Sequence, residues 1–274
     1  ANEERIIDLV TMTAEPGVIG GIPAAGLNFG AASNTQAIVD QPYQFDFYDG
    51  GGIDVAFLGL AQVDRHGNLN VSRFGPKLTG AGGFINISQK AKRVVFVGSF
   101  TAGRLEVAAA EGRLKIVTEA TQPKFLREVE HVTFSGALAR RTAQSVLYVT
   151  ERCVFRLSPE GVELVEVAPG IDIERDILRL MEFRPIIHGE PRLMDARIFT
   201  DGPMNLRDEM LAVPLSDRFH FDADNGLFFI DFEHLAIRGM PDIRTIRDEV
   251  EARLAPLGKR VHGIVNYDHF SIVP

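Results

Sequence analysis

The sequence predicts an α/β protein built on a mostly parallel sheet, followed by a small α+β extension. Three observations carry this. Apolar runs such as Val55-Ala-Phe-Leu-Gly-Leu60 are close to continuous, the pattern of strands in a sheet covered on both faces. These runs alternate with loops and with stretches of helical spacing. Beyond about residue 205 the pattern resets into strand, helix and strand.

Taken in order, the first ten residues read as the tail of a helix entering a strand, so the fold is expected to begin ahead of Ala1. Residues 8 to 12, Asp-Leu-Val-Thr-Met, read as a short buried strand that delivers Glu15 at its carboxyl end, where α/β proteins usually bind ligands. Further strands are expected over Ile53 to Val63, Val94 to Phe100, Lys115 to Thr118 and His131 to Phe134. Asp64-Arg-His-Gly-Asn68 has the composition of a hairpin turn, with His66 at its tip. A second hairpin is expected over residues 145 to 169, turning at Ser158-Pro-Glu-Gly161. Ile173, Ile177, Leu180 and Met181 recur at helical spacing and predict an amphipathic helix over Ile173 to Phe183. In the tail, Leu227 to Phe232 and Arg260 to Asn266 read as strands flanking a helix from Asp242 to Leu257. The division expected is 1–213 for the main domain and 214–274 for the extension, with no internal repeat.

Composition narrows the function. The chain has 274 residues, 45% hydrophobic and 24% charged, with a net charge of −8 and a pI near 5.4. That balance, without a Lys/Arg cluster, argues against a nucleic-acid partner. The apolar runs are too short to span a bilayer, and a single cysteine, Cys153, fits a reducing, cytoplasmic setting. Cys153 reads as a strand residue with a packing role. His188, His220, His234, His262 and His269 lack ligand spacing, and no zinc pattern or Walker loop occurs. Arg140-Arg141 reads as a solvated face.

The chemistry is suggested by three glycine-rich stations in the first third: Gly17 with Gly20-Gly21, Gly50-Gly-Gly52, and Gly80-Ala-Gly-Gly83. None fits the dinucleotide fingerprint. Beside the first sits Glu15, a carboxylate followed by Pro16 and Gly17, which taken alone reads as an ordinary solvated turn.

Together the stations resemble the class I CoA-transferases, in particular the acetate/propionate type. Glu15-Pro16-Gly17 matches the Glu-x-Gly motif, and Gly50-Gly-Gly-Ile-Asp-Val-Ala-Phe-Leu-Gly-Leu-Ala-Gln-Val-Asp64 and Gly80-Ala-Gly-Gly83 follow in the family's order. Gly21-Ile-Pro-Ala-Ala-Gly-Leu-Asn-Phe-Gly30 and Gln41-Pro-Tyr-Gln-Phe-Asp-Phe-Tyr-Asp49 favour that branch over the 3-oxoacid one. The resemblance covers roughly residues 1 to 205 and implies a three-layer sandwich and a ping-pong exchange of CoA between a short-chain acyl-CoA and a carboxylic acid. It implies Glu15 as the nucleophile, passing through a glutamyl-CoA thioester, and Gly83 as the backbone donor to the oxyanion. Gly82 would support the same loop; Gly17, which leaves no side chain to block a large substrate, would lie in the substrate-binding loop, Asn28 and Gln44 would line the acyl or pantetheine pocket, and Lys77 would meet a CoA phosphate or stand solvated. Coenzyme A is then a substrate, with no metal or other cofactor. The partner implied is the N-terminal half of the same enzyme, within a homo-oligomer. Competing readings are an acyl-CoA hydrolase, a non-catalytic module of the same fold, and a related sugar-phosphate isomerase.

Overall fold

The computed structural model describes residues 1–211, 213–237, 239–258 and 260–272. The chain divides into two compact units, one of Ile7–Met204 with Asn2, the other of Asn205–Pro274 with Ala1 and Glu3–Ile6.

The larger unit is organised by a six-stranded sheet. Val55–Gly59, Arg93–Val97 and Ser145–Val149 lie side by side in parallel, with Arg93–Val97 between the other two. Ser145–Val149, Cys153–Leu157 and Val162–Val167 then form an antiparallel meander, so the hairpin expected over 145–169 contains an additional central strand. Arg192–Leu193 closes that side in parallel. Strand alternation separates two cores. Val94, Phe96, Val146, Tyr148, Cys153 and Phe155 face a layer that includes Tyr48, Phe84 and Ala139 from the helices Gln41–Asp49, Phe84–Lys90 and Gly136–Arg141. Val154 and its neighbours Leu147 and Val149 face the opposite side, where Leu114 from the ribbon Glu106–Ala110/Arg113–Thr118 and Phe199 complete the layer.

Cover on the second face stops short of the edge strand: Phe57 is 72% exposed, with Val55 and Val97 exposed beside it. The strand expected at residues 8–12 is absent; Ile7–Leu9 is a single 3₁₀ turn, and residues 8–11 are exposed. An apolar run of that length needs a ladder along its length to become a strand, and here the pairing reaches only Met12, whose carbonyl accepts from the Gly20 amide at 2.7 Å. The run expected at Ile53–Val63 is two strands, Val55–Gly59 and Gln62–Asp64, and Arg93–Val97 stops before Phe100. Residues 131–134 form no strand, only a bridge from Phe134 to Leu69. Gln62–Asp64 and Leu69–Asn70 form the expected hairpin, with exposed His66 in its turn. The helix expected over 173–183 is broken into Ile173–Asp176 and the 3₁₀ turn Leu178–Leu180, because fully buried Ile177 leaves helical dihedrals to fill the core.

In the smaller unit Phe219–Asp222 pairs antiparallel with Leu227–Asp231, which pairs in parallel with His262–Asn266 after the helix Met240–Leu254. This unit contains a repeat that the sequence reading missed. Asp231-Phe-Glu-His-Leu-Ala-Ile237 and Asn266-Tyr-Asp-His-Phe-Ser-Ile272 each end a strand, turn, and resume as a short strand in the same parallel register. Both turns bend alike: the Glu233 amide donates to Asp231 Oδ1 and the Asp268 amide to Asn266 Oδ1, each at 3.0 Å. His234 and His269 both take left-handed φ, 56° and 54°, and their rings stack 4.7 Å apart.

Candidate active site

Glu15 sits in the turn of a tight hairpin between Thr13–Ala14 and Val18–Ile19, rather than at the end of a buried strand. The Gly17 amide closes the turn on the Ala14 carbonyl at 3.0 Å. Gly17 is required there. Its φ is +118°, and a Cβ would fall 1.9 Å from the carbonyl oxygen of Val39, just past the neighbouring strand Ala37–Ile38. Pro16 is seated against Gly30, where an added Cβ would come within 2.9 Å of its Cγ.

The turn presents Glu15 to the third glycine station. A Cβ at Gly83 would lie 2.6 Å from Glu15 Oε2, 2.7 Å from its Cδ and 2.7 Å from Cζ of Phe45. Only the absence of a side chain lets the carboxylate rest on that backbone. Gly83 is buried and immediately precedes the helix Phe84–Lys90, so its amide belongs to the first N–H groups that a helix cannot bond internally. Glu15 itself is half-buried and, among the described residues, forms no hydrogen bond or ion pair. A carboxylate partly shielded from water, unpaired, and resting on a glycine at a helix start can attack a carbonyl whose oxyanion would then need a donor such as the Gly83 amide.

The helix Gln41–Asp49 flanks this pair. Besides Phe45 it carries fully buried Gln44, whose Nε2 donates to Tyr48 Oη at 2.7 Å and to Thr13 Oγ1; the two hydroxyls are 2.6 Å apart. Gln44 Oε1 is buried with no hydrogen-bond partner among the described residues. Gly82 has φ +53° and open space where a side chain would stand. Asn28 ends the exposed 3₁₀ turn Gly26–Asn28, and Lys77 lies exposed on the ribbon Arg73–Phe74/Lys77–Leu78. Neither side chain forms a hydrogen bond or ion pair among the described residues.

The structure therefore brings Glu15, Gly17, Gly83 and Gln44 into one neighbourhood and leaves Asn28 and Lys77 on its surroundings. Thr13, Phe45 and Tyr48 were missed in the sequence. Their signal was the four-residue spacing of Gln44 and Tyr48, which puts both on one helical stripe.

A second charged cluster lies where the strands Arg93–Val97 and Ser145–Val149 end. Fully buried Arg152 donates to Glu151 and Glu119, each at 2.6 Å, and to the Asp176 carbonyl at 3.0 Å, with its guanidinium 4.8 Å from the Phe100 ring centre. Burial pushes the Glu119 carboxyl up, but its bonds to Arg152 and Thr101 outweigh that and hold it below its usual value. Burial likewise lowers the Lys124 ammonium, which donates to the Ser99 carbonyl at 2.7 Å, and raises the thiol of Cys153. Among the described residues no group of three or more His, Cys, Asp and Glu side chains is placed to hold a metal ion. None of the helices there is long and apolar enough to cross a membrane.

No protein-family model matches the chain. Among curated proteins it is 48% identical over 204 residues to the acetate CoA-transferase YdiF of Escherichia coli O157:H7, covering 74% of this chain and 38% of that protein. It is 50% identical over 205 residues to the caffeate CoA-transferase of Acetobacterium woodii, covering 73% and 39%. A crystal structure of the E. coli O157:H7 enzyme as a thioester complex with CoA matches with a TM-score of 0.70 and 47% identity, covering 75% of this chain and 39% of that one. The chain thus spans about two fifths of the length of these relatives.

Proposed function

The chain belongs to the class I CoA-transferases, and from that premise we propose that it carries the nucleophile of an enzyme exchanging CoA between a short-chain acyl-CoA and a carboxylic acid. The observation that carries this reading is the unpaired Glu15 carboxylate resting on the Gly83 backbone. A Glu15 oxygen attacks the thioester carbonyl, the C–S bond breaks, and CoA leaves as thiolate with the acyl group held as a mixed anhydride. The thiolate then attacks the Glu15 carbonyl, expelling the acyl group as a carboxylate and leaving a glutamyl-CoA thioester. An incoming carboxylate reverses both steps. Each tetrahedral oxyanion is stabilised by the Gly83 amide, a donor of a kind typically worth about 3 kcal/mol. This acyl exchange needs no metal or redox cofactor.

We assign Gly17 and Gly82 to shaping the loops, Gln44 and Asn28 to the pocket wall, and Lys77 to a phosphate of CoA. The remainder of the enzyme is the partner. Ile22, Leu27, Phe29 and Ile38 are exposed on the short strands and turns that follow Glu15, a set of apolar side chains that a second half would cover. A homo-oligomer working in the cytoplasm fits the acidic chain and its lone buried cysteine. The test is to incubate this chain, assembled with its complementary part, with acetyl-CoA and to map the adduct by mass spectrometry. CoA bound at Glu15 is the expected result; an adduct elsewhere, or none, rejects the assignment. Turnover that rises with added acetate marks a transferase, and turnover indifferent to it a hydrolase.

A further inference from the structure

We propose that Thr13, Gln44 and Tyr48 are positioning residues that hold the Glu15 hairpin in its attacking orientation, an inference that rests on Glu15 being the nucleophile. The strand that delivers Glu15 is two residues long, Thr13–Ala14, and so short a ladder does little to fix the direction of the turn beyond it. The Thr13 side chain supplies the missing tie. It joins the hairpin to the helix Gln41–Asp49, the same helix whose Phe45 ring packs where Glu15 meets Gly83. One rigid element therefore holds both the nucleophile's strand and the wall of its pocket.

The hydrogen count fixes the arrangement. Gln44 brings two amide hydrogens and the hydroxyls of Thr13 and Tyr48 one each, while the triangle contains three contacts. Both amide hydrogens point to the hydroxyl oxygens, and one hydroxyl hydrogen joins Thr13 to Tyr48. Reversing the Gln44 amide would draw both hydroxyl hydrogens to its oxygen and leave the 2.6 Å contact between the hydroxyls without one. The observed orientation fills all three contacts, at the cost of the partnerless Gln44 Oε1. A core built only for stability would not bury an amide oxygen unmet, since that costs about 1–3 kcal/mol. The amide is retained for the two bonds that its nitrogen makes.

The test uses this chain assembled with its complementary part, reading the rate of glutamyl-CoA formation, the acyl-CoA KM and the melting temperature. Thr13→Val, which keeps shape and removes the hydroxyl, is expected to slow adduct formation by roughly ten- to a hundredfold, as small misplacements of reacting groups do. KM stays near wild type, the melting temperature falls only by what the lost buried hydrogen bonds cost, and Thr13→Ser restores the rate. Tyr48→Phe gives the same slowing and serves as the reading if Thr13→Val does not fold. Wild-type rates in a folded Thr13→Val or Tyr48→Phe protein overturn the proposal. So do a raised KM at unchanged kcat, which would mark a substrate contact, and a Thr13→Ser protein no faster than Thr13→Val. A wild-type protein that forms no adduct overturns instead the assignment of Glu15 on which all of this rests.

Discussion

Glu15 and Glu119 are both half-buried acids near the ends of strands, yet their surroundings are opposite. Glu119 accepts from Arg152, Thr101 and the Ala120 amide, and Arg152 in turn is saturated by Glu151 and the Asp176 carbonyl. Among the described residues Glu15 accepts from no side chain, and its carboxylate lies against a bare glycine beside an aromatic edge. A carboxylate whose lone pairs are all engaged contributes to the fold and is a poor nucleophile. One left unengaged beside backbone amides contributes little to the fold and keeps its electrons available. Exposure alone does not separate the two roles; the state of their hydrogen bonds does.

Exchanging features between these two regions tests the contrast. Glu15→Gln should cut turnover by about three orders of magnitude or more while leaving the urea midpoint essentially unchanged, because a nucleophile with no structural bonds is removed. Arg152→Met should do the reverse in kind: unfolding free energy falls by about 3 kcal/mol or more, since buried partner groups lose their charge, while the Glu15 adduct still forms in the folded fraction. Gly83→Ala should lower turnover by about a hundredfold, because the methyl displaces the carboxylate from the donor; turnover at the wild-type level would show that Glu15 does not need that contact. Acid should discriminate as well. The Glu119 carboxyl is held below its ordinary value of 4.5, so its contribution to stability is present above that value and is lost as pH falls through the folded one. Urea midpoints followed from pH 6 to pH 3 should therefore drop less steeply in Glu119→Gln than in wild type. The smallest effect expected is at Cys153: a buried thiol whose ionisation is suppressed by burial should resist an aromatic disulfide reagent until the protein unfolds.

The Glu15 side of this contrast was readable in the sequence and the Glu119 side was not, for a physical reason. Val55 to Leu60 and Val94 to Val97 show themselves as strands because nearly every position is apolar, although on the edge strand one face is left exposed. Glu15 and Gly83 emerge as a pair only through the resemblance that the order of the glycine stations carries; taken alone, Glu15 reads as a solvated turn. Residues 8–12 mislead because hydrophobicity alone does not say whether a ladder partner exists. The role of Thr13 is hidden for a similar reason: its partners come from a helix some thirty residues later, and nothing in a local window distinguishes a tying hydroxyl from a solvated one. In Arg152 the difficulty is charge itself, which reads as surface until three segments of the chain close around it.

The two matched turns of the smaller unit have a consequence of a different kind. Phe232 lies near Tyr267, His234 stacks on His269, and Ala236-Ile237 pairs with Ser271-Ile272, so the unit is a ladder of two like rungs in register. Fibrils grow by stacking identical rungs in this way, each layer serving as template for the next. Here each rung also carries an acid at the same place, Glu233 and Asp268. Every added copy would bring another carboxylate beside the last, and charge repeated along a growing stack is what keeps such a ladder from lengthening.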